Sequence, residues 1–300
     1  MPQTYLITGA GTGFGALAAR ALASSPAKPT VFAGMYSHDS NTAPFEADLA
    51  TFNTQNSTDI RPIPLDLLSQ SSCNAAVSTI LSTTSGRLDA VVHNAGHMNY
   101  GFAESFTAEQ YLRLYDVNVV GAHRLNQAVL PHFRTQRQGH LIWIGSSSVY
   151  GGKSPMLGAY FAAKAAMDSL AQTYARELNP WGIESTIVSP GVFTKGTNHF
   201  ADAMKPGLEG VAREYEDGPT KGVGEQTMEG TAGVVPEDAD PVMVAEALVR
   251  LSEVPRGEKP YRINVDPGQD GSEEGARVVD RNGDEFYRRL GLEGLLKVKM

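Results

Sequence analysis

The chain has 300 residues, 41% of them hydrophobic and 19% charged, a composition typical of a globular chain with one large core. Its formal net charge of −8 argues against non-specific nucleic-acid binding, which requires a basic surface. The single cysteine, Cys73, excludes an internal disulfide and has no metal-ligand spacing, so we expect neither a disulfide scaffold nor a metal site.

Membrane insertion and secretion are not expected either. No apolar run approaches the roughly 18 residues that a membrane span requires. The N-terminus lacks the basic stretch of a signal peptide and enters a strand at once. We therefore expect a cytoplasmic protein that binds neither membranes nor nucleic acids.

The first element is an apolar strand at Thr4–Thr8, followed by a glycine-rich turn and an alanine-rich helix. Such a turn lets backbone N–H groups and the positive end of the helix dipole face a phosphate. Two registers are open: Gly11-x-Gly13-x-x-Ala16 fits the general dinucleotide fingerprint, whereas counting from the strand end favours Gly9-x-x-x-Gly13-x-Gly15. The alternative is a purely structural glycine turn.

Residues 30–34 and 60–65 form the next two predicted strands. Prolines in the latter favour an irregular or edge strand. Asp66 and Leu67 follow it and either contact a bound base or, equally well, cap the next helix. A fourth strand at 88–93 ends in Asn94-Ala95-Gly96, a small-residue loop that suits close passage of a flat ligand at the carboxyl end of a parallel sheet.

Thr107 and Gln110 form a capping box for a long helix whose apolar positions recur through Leu125. Asn118 lies within this helix, where asparagine is unfavourable. It is therefore either exposed, or it marks a kink that presents a carbonyl to a buried water.

The stretch from Gly145 to Lys164 combines a serine cluster after an apolar strand with Tyr160 and Lys164 at helical i, i+4 spacing. A lysine ammonium beside the phenol is expected to lower the pKa of Tyr160 from its ordinary value of about 10, which suits acid–base chemistry. Ser147, or alternatively Ser148, is expected to present its hydroxyl beside the phenol. A Tyr-x-x-x-Lys pair by itself also occurs by chance in many helices.

Beyond this stretch the pattern predicts a helix at 160–178 and a strand at 184–188, which is broken by Pro190 and Gly191. Residues 196–240, here called the lid segment, include a glycine-rich, weakly periodic stretch that is either a lid or disordered. A helix at 242–252 and a last strand at 261–265 follow. The tail, 266–300, has a second helical pattern near 284–290, and we expect it to pack on a partner subunit or close over a pocket.

Together these motifs, from Gly9–Gly15 through Asn94-Ala-Gly96, Asn118, Ser147 and Tyr160-x-x-x-Lys164 to Pro190-Gly191, resemble the single-domain branch of the short-chain dehydrogenase/reductase family. The resemblance covers residues 4–265. It implies an α/β, doubly wound Rossmann fold with a parallel sheet of about seven strands. Residues 1–265 then form the dinucleotide-binding and catalytic domain, and 266–300 form a C-terminal helical extension.

The resemblance also implies site roles. Tyr160 is similar to the family's proton donor or acceptor, Ser147 to the hydroxyl that positions the substrate oxygen, and Asn118 to the asparagine that anchors a water on the proton path. Lys164 resembles the lysine that lowers the tyrosine pKa and holds the nicotinamide ribose. The implied cofactor-binding residues are Gly9, Thr12, Gly13, Phe14, Gly15, Ser37, Asp66, Leu67, Asn94, Ala95, Gly96, Tyr160, Lys164, Pro190, Gly191, Val192 and Thr194.

The end of the second strand bears on the cofactor. An acidic residue there binds the ribose of NAD and repels the 2′-phosphate of NADP. The chain has Gly34 and Met35 at this place, with Ser37 and His38 available as donors, which favours NADP; Asp39 opposes this choice if it points inward, so NAD is not excluded.

The resemblance therefore predicts an oxidoreductase that transfers a hydride between NADP(H) and a ketone or secondary alcohol, assembled as a homodimer or homotetramer. Two alternatives remain. One is a non-catalytic NAD(P)-binding regulatory protein, and the other is an epimerase or dehydratase on the same fold. The apolar residues Phe102, Tyr150, Met156, Leu157 and Phe193 are either pocket wall or core.

Overall fold

The computed structural model describes residues 2–36 and 42–300, so Met1 and residues 37–41, including Ser37, His38 and Asp39, lie outside the described chain. In the described chain, seven parallel strands form one sheet in the order β3-β2-β1-β4-β5-β6-β7. The strands are β1 (Thr4–Thr8), β2 (Thr30–Met35), β3 (Asp59–Pro64), β4 (Ala90–His93), β5 (Gly139–Ile144), β6 (Ile183–Pro190) and β7 (Arg262–Val265).

Helices connect the strands and cover both faces of the sheet. They are α1 (Gly13–Ser24), α2 (Thr42–Asn56), α3 (Gln70–Thr83), α4 (Ala108–Tyr115), α5 (Gly121–Gln136), α6 (Gly158–Leu178), α7 (Glu209–Asp217), α8 (Val223–Val234), α9 (Val242–Glu253) and α10 (Ser272–Arg289). The predicted doubly wound α/β fold with a C-terminal helical tail is confirmed.

Side-chain alternation along the strands explains the two-sided core. Leu6 of β1 packs into the core with α3, α5 and α6, whereas its neighbours Tyr5 and Ile7 pack on the opposite face with α1 and α9. Successive residues of a strand point to opposite faces, and a sheet covered on both faces requires both sets to be apolar. All five residues of β1 are accordingly buried.

The prolines of β3 occupy the place expected for them. Pro62 and Pro64 lie on an edge strand of the sheet, since β3 pairs only with β2 in the described chain. A proline cannot donate a ladder hydrogen bond, so an edge strand tolerates it where a central strand does not.

The long helix predicted after Thr107 is interrupted. Thr107 and Gln110 form the expected capping box of α4, but a π-helical turn at Asp116–Val120 separates α4 from α5. Asn118 lies within this turn and is only 1% exposed. Of the two interpretations of Asn118, exposure is therefore wrong, and the local change of helix geometry is what the structure shows.

The lid segment is more regular than its sequence suggests. It contains α7 and α8, joined by a short turn. Neither helix buries a full apolar face: Ala212 is the only buried residue of α7, and α8 has no buried residue. This weak burial explains why the sequence of the segment shows no long apolar stripe, because such a stripe arises where a helix face is buried.

The tail docks against its own chain. α10 begins twelve residues earlier than the pattern near 284–290 indicates, and its Asp280 and Asp284 pair with Arg262 of β7 and Arg176 of α6 at 2.8 and 2.5 Å. The backbone N–H of Gly152 also donates to Asp270 at 3.2 Å. The tail therefore supports the loop after β5. Among the helices of residues 2–36 and 42–300, none has the length and apolar composition of a membrane span.

Candidate active site

The turn between β1 and α1 has the geometry of the Gly9-x-x-x-Gly13-x-Gly15 register. Gly9 and Gly13 have φ angles of +63° and +54°, a region that favours glycine. A Cβ on Gly9 would lie 2.9 Å from Ala95 Cα, and one on Gly15 would collide with the Gly9 carbonyl oxygen. Gly11 needs no such freedom, because a Cβ there would meet only Met35 Sδ at 3.8 Å.

The Asn94-Ala95-Gly96 loop is fastened to this turn. Asn94 Nδ2 donates to the carbonyl oxygens of Thr8 and Gly9 at 2.9 and 3.1 Å. In return, Thr8 Oγ1 accepts the backbone N–H groups of Asn94 and Ala95, each at 2.9 Å. The ends of β1 and β4 thus form one rigid floor.

Asn118 holds the next part of the same loop. Its Oδ1 accepts the backbone N–H of His97 at 2.7 Å, and its Nδ2 donates to the His97 carbonyl at 2.9 Å. A Cβ on Gly96 would lie 2.8 Å from Asn118 Oδ1, so the loop can approach Asn118 this closely only with glycine at position 96. The side chain of Asn118 therefore acts first on the loop, and the predicted role in anchoring a water stays a prediction.

A cavity of about 680 Å³ opens above this floor. Nine of the residues predicted to bind a cofactor line it: Gly9, Thr12, Gly13, Phe14, Asp66, Leu67, Asn94, Ala95 and Gly96. Asp66 Oδ1 accepts the N–H of Leu68 at 2.9 Å, and Ser69, not Asp66, caps α3. The capping interpretation of Asp66 is therefore wrong. Ser37 lies outside the described residues.

The segment after β6 does not line this cavity in the described structure. Gly191 donates its N–H to the Val265 carbonyl at 2.9 Å. Phe193 is buried and packs edge-on against Phe14, with ring centroids 5.6 Å apart. Contact of Pro190, Gly191, Val192 and Thr194 with a cofactor thus stays a prediction, whereas Phe193 is core.

Three lid-segment residues line the cavity instead: Asn198, His199 and Asp202. The His199 ring lies 5.4 Å from the Phe14 ring, beside the N-terminus of α1. Burial and the Lys164 ammonium lower the pKa of His199. These residues were missed because a weakly periodic segment carries no sequence signal of the surface that it faces.

Tyr160 and Lys164 lie on one face of α6, as predicted. Lys164 Nζ is 5.8 Å from the centroid of the Tyr160 ring and donates a 2.7 Å hydrogen bond to the Ile144 carbonyl. Lys164 is 5% exposed, and burial lowers its pKa to about 8.

The expected lowering of the Tyr160 pKa is wrong for this structure. Burial raises the pKa of Tyr160 to about 12, because a phenolate loses more hydration on burial than a neutral phenol. Only a hydrogen bond with Ser146 opposes this effect. At neutral pH the phenol is therefore protonated.

The serine that hydrogen-bonds the Tyr160 phenol is Ser146, and the substrate-positioning role expected of Ser147, or alternatively of Ser148, stays a prediction. Ser147 instead hydrogen-bonds Asp270 of the tail and contributes to the lowered pKa of that carboxyl group. Ser148 Oγ contacts Ser146 Oγ at 2.8 Å, so it touches the site through Ser146. The sequence does not distinguish which of three adjacent serines contacts Tyr160, although Ser146 is the first residue with a hydroxyl group after β5.

Around Tyr160 the walls are apolar. Tyr160 packs in a cluster with Met98, Tyr100, Leu157, Phe161, Phe200 and Ala203. Tyr100, Phe102 and Met156 also line a second cavity of about 550 Å³ against α7 and α8. Tyr150 lies elsewhere and donates a 2.8 Å hydrogen bond to Asp168.

Comparison with known proteins agrees with this geometry. The family model described as short chain dehydrogenase matches residues 3–205. A relative, 3-ketodihydrosphingosine reductase from Bacteroides thetaiotaomicron, is 30% identical over 216 residues, which cover 72% of each chain.

Solved structures share the fold. A short-chain dehydrogenase from Streptomyces avermitilis matches with a TM-score of 0.73 at 24% identity over 97% of each chain. An alcohol dehydrogenase from Thermococcus sibiricus, complexed with 5-hydroxy-NADP, matches with a TM-score of 0.68 at 20% identity, over 88% of this chain and 96% of its own. The chain therefore belongs to the short-chain dehydrogenase family and is an oxidoreductase.

Proposed function

We propose that the protein transfers a hydride between NADP(H) and an apolar ketone or its secondary alcohol, with Tyr160 as the proton donor or acceptor. The proposal rests on the cluster of Tyr160, Ser146 and Lys164. This cluster adjoins the floor at Gly96, where a Cβ would lie 3.9 Å from Lys164 Nζ. Carbonyl reduction adds a hydride to carbon and a proton to oxygen; the phenol can supply the proton, and the hydroxyl and the ammonium can stabilise the charge that develops on oxygen.

The residues that line the cavity suit a dinucleotide. Gly9 leaves no room for a Cβ against Ala95, so the turn and the loop form a close-packed cradle. Gly13 faces open space, because a Cβ there would meet only His199, at 4.0 Å. The N-terminal N–H groups of α1, after Thr12, suit a diphosphate. Asp66 and Leu67 suit the adenine end, and Asn94, Ala95 and Gly96 suit the flat nicotinamide half.

NADP is the proposed form of the cofactor. Gly34 and Met35 carry no carboxylate that would repel a 2′-phosphate. The Thermococcus sibiricus structure, a complex with 5-hydroxy-NADP, supports the same choice. NAD stays the alternative, since Ser37 and Asp39 lie outside the described chain.

When bound, the nicotinamide supplies or accepts the hydride. Tyr160 donates its proton to the carbonyl oxygen as the alcohol forms, and it holds that proton at neutral pH because burial raises its pKa to about 12. Ser146 orients the same oxygen through its hydroxyl. The Lys164 ammonium stabilises the phenolate that remains, because a nearby cation favours the charged form.

The substrate is proposed to be apolar next to its carbonyl group. The wall around Tyr160 consists of Met98, Tyr100 and Leu157, with Phe200 and Ala203 from the lid segment. An apolar wall disfavours a substrate that carries charge close to the reacting carbon. The assembly as a homodimer or homotetramer and the cytoplasmic location stay predictions.

Purified protein tests the proposal in two steps. NADPH and NADH are titrated separately by reduced-nicotinamide fluorescence, and tighter NADPH binding is expected. A panel of apolar ketones, with acetophenone as the first probe, is then assayed with the preferred cofactor for wild type and Tyr160→Phe.

Tyr160→Phe is expected to lower kcat by several orders of magnitude while the cofactor Kd stays within about twofold. Turnover retained by Tyr160→Phe would remove Tyr160 from the proton-transfer role. Interconversion of a substrate without net cofactor consumption would instead favour the epimerase or dehydratase alternative.

A further inference from the structure

Asn99 is completely buried beside the helix that carries Tyr160, and no step of the proposed chemistry uses it. It lies three residues after Gly96, with 0% of its surface exposed. Its Oδ1 accepts the backbone N–H of Tyr160 at 2.8 Å, and its Nδ2 donates to the Met156 carbonyl at 3.1 Å. The orientation of the amide is forced, because an N–H only donates and a carbonyl only accepts.

The first of these bonds supplies a helix cap from a distant part of the chain. The N-terminal N–H groups of a helix have no partner within the helix. Leu157, at the N-cap position of α6, makes no side-chain cap bond. Asn99 bonds the N–H of Tyr160, the third residue of α6, which is one of the two positions that a capping asparagine normally serves.

The second bond holds the turn that starts the helix. Met156 has a φ angle of +76°, a left-handed conformation that is unfavourable for a residue with a side chain. Its carbonyl oxygen accepts both Asn99 Nδ2 and the backbone N–H of Gly101, the latter at 2.9 Å. The loop containing Asn99 therefore stabilises this turn at two points.

Asn99 is itself held from the other side. Met204 of the lid segment donates its N–H to the Met98 carbonyl at 2.9 Å, and its own carbonyl accepts the N–H of Tyr100 at 3.0 Å. These two bonds flank Asn99 in a parallel bridge. Asn99 is thus held at its backbone by the lid segment and at its side-chain amide by the start of α6.

We propose that Asn99 is a positioning residue for Tyr160: by capping α6 and holding the Met156 turn, it sets the place of the phenol relative to Ser146. The inference rests on the proposed function, in which Tyr160 moves the proton. Asn99 does not touch the reacting atoms. Without it, the first turn of α6 loses its cap, and the phenol moves away from the Ser146 hydroxyl.

Isotopic labelling of the tyrosines at Cζ tests this directly, because the Cζ chemical shift reports on hydrogen bonding of the phenol. The protein has 11 tyrosines, and the Tyr160 signal is identified by its loss in Tyr160→Phe. At neutral pH, Ser146→Ala gives the shift of a phenol without the Ser146 bond. Asn99→Ala is expected to move the Tyr160 signal in the same direction.

Ser69→Ala is the matched control. Ser69 caps α3 by accepting the N–H of Ser72 at 3.2 Å, so its removal costs one helix cap away from Tyr160. It is expected to lower Tm without moving the Tyr160 signal. In the acetophenone assay, Asn99→Ala is expected to lower kcat by about tenfold to a hundredfold, as small misplacements of catalytic groups do, with the NADPH Kd unchanged.

An unmoved Tyr160 signal in folded Asn99→Ala overturns the inference, as does an equal change in Ser69→Ala. If Asn99→Ala does not fold, Asn99→Ser is used, whose hydroxyl is too short to reach both partners and is expected to give a smaller shift in the same direction. The proposed function fails separately, if Tyr160→Phe retains turnover. Loss of turnover in Tyr160→Phe together with an unmoved signal in the Asn99 variants refutes only the role of Asn99.

Discussion

The Lys164 ammonium lies 5.8 Å from the centroid of the Tyr160 ring, one helical turn away on the same face of α6. Burial disfavours the charged form of both groups, so the pKa of Lys164 falls to about 8 and that of Tyr160 rises to about 12. Near neutral pH the pair therefore consists of a cation and a neutral acid. This is the protonation state required to deliver a proton to a carbonyl oxygen.

The pH dependence of ketone reduction should follow Lys164. Because burial lowers its pKa to about 8, Lys164 is charged below that pH and loses its charge as the pH rises through it. Tyr160 still holds its proton there. We expect kcat for reduction to be flat below about pH 8 and to fall above it as the cation that stabilises the phenolate disappears.

Lys164→Arg checks the origin of this alkaline limb. An arginine stays charged throughout the accessible pH range. The variant is expected to be slower than wild type, because it loses the geometry of the Ile144 bond, but to show no fall near pH 8. A limb that stays in place in Lys164→Arg would assign it to another group.

The three serines after β5 should separate by function. Removal of the Ser146 hydroxyl is expected to lower kcat roughly a hundredfold, the effect of losing one hydrogen-bond donor to the reacting oxygen. Ser147→Ala breaks the bond to Asp270 and should lower Tm with kcat largely retained. Steady-state kinetics and thermal unfolding of the three Ala variants, at positions 146, 147 and 148, show which serine acts in ketone reduction. A larger loss of kcat in Ser147→Ala than in Ser146→Ala would favour Ser147, as predicted from the sequence.

Gly9 and Gly11 form a matched pair for the cradle. Gly9→Ala places a methyl group 2.9 Å from Ala95 Cα at a φ of +63°, and the backbone conformation alone should cost about 1–2 kcal/mol. Gly11→Ala meets only Met35 Sδ at 3.8 Å. We expect Gly9→Ala to lose both stability, measured by urea unfolding, and NADPH affinity, measured by fluorescence titration. Gly11→Ala is expected to retain its stability. Equal stability of the two variants would contradict the close contact between Gly9 and Ala95.

Arg262 should be the main electrostatic anchor of the tail. It is 5% exposed at its side chain and pairs with Asp168 of α6 at 2.6 Å and Asp280 of α10 at 2.8 Å. Arg262→Met leaves two poorly hydrated carboxylates without their partner, which is expected to cost about 3–5 kcal/mol in the free energy of unfolding.

Arg277→Met provides the comparison for Arg262. Arg277 pairs with Glu273 on the exposed face of α10, and such pairs contribute little. Its removal is expected to change the free energy of unfolding by less than about 0.5 kcal/mol. Similar unfolding midpoints for both variants in urea would show that the buried network does not anchor the tail.

Several features were predictable because local rules determine them. Strands buried on both faces are apolar runs, as in β1, and a proline-containing strand belongs at an edge, as in β3. The i, i+4 spacing of Tyr160 and Lys164 places them on one face of any helix. Glycines at positive φ stand where the chain turns into α1.

Other features depend on contacts between distant parts of the chain. The choice among three adjacent serines depends on the turn after β5 and on Asp270, more than a hundred residues away. The Tyr160 pKa is raised by burial, in a cluster that includes Phe200 and Ala203 of the lid segment, whereas the i, i+4 spacing reveals only the neighbouring lysine.

The sequence by itself thus determined the fold class, the glycine cradle and the Tyr160–Lys164 pair, because each follows from periodicity or backbone geometry within a few residues. Only the tertiary structure decided which hydroxyl meets the phenol, that Asn99 hydrogen-bonds the first turn of α6, and that α7 and α8 form in the lid segment. These features depend on which surfaces become buried together, and burial is a property of the folded chain rather than of any local stretch.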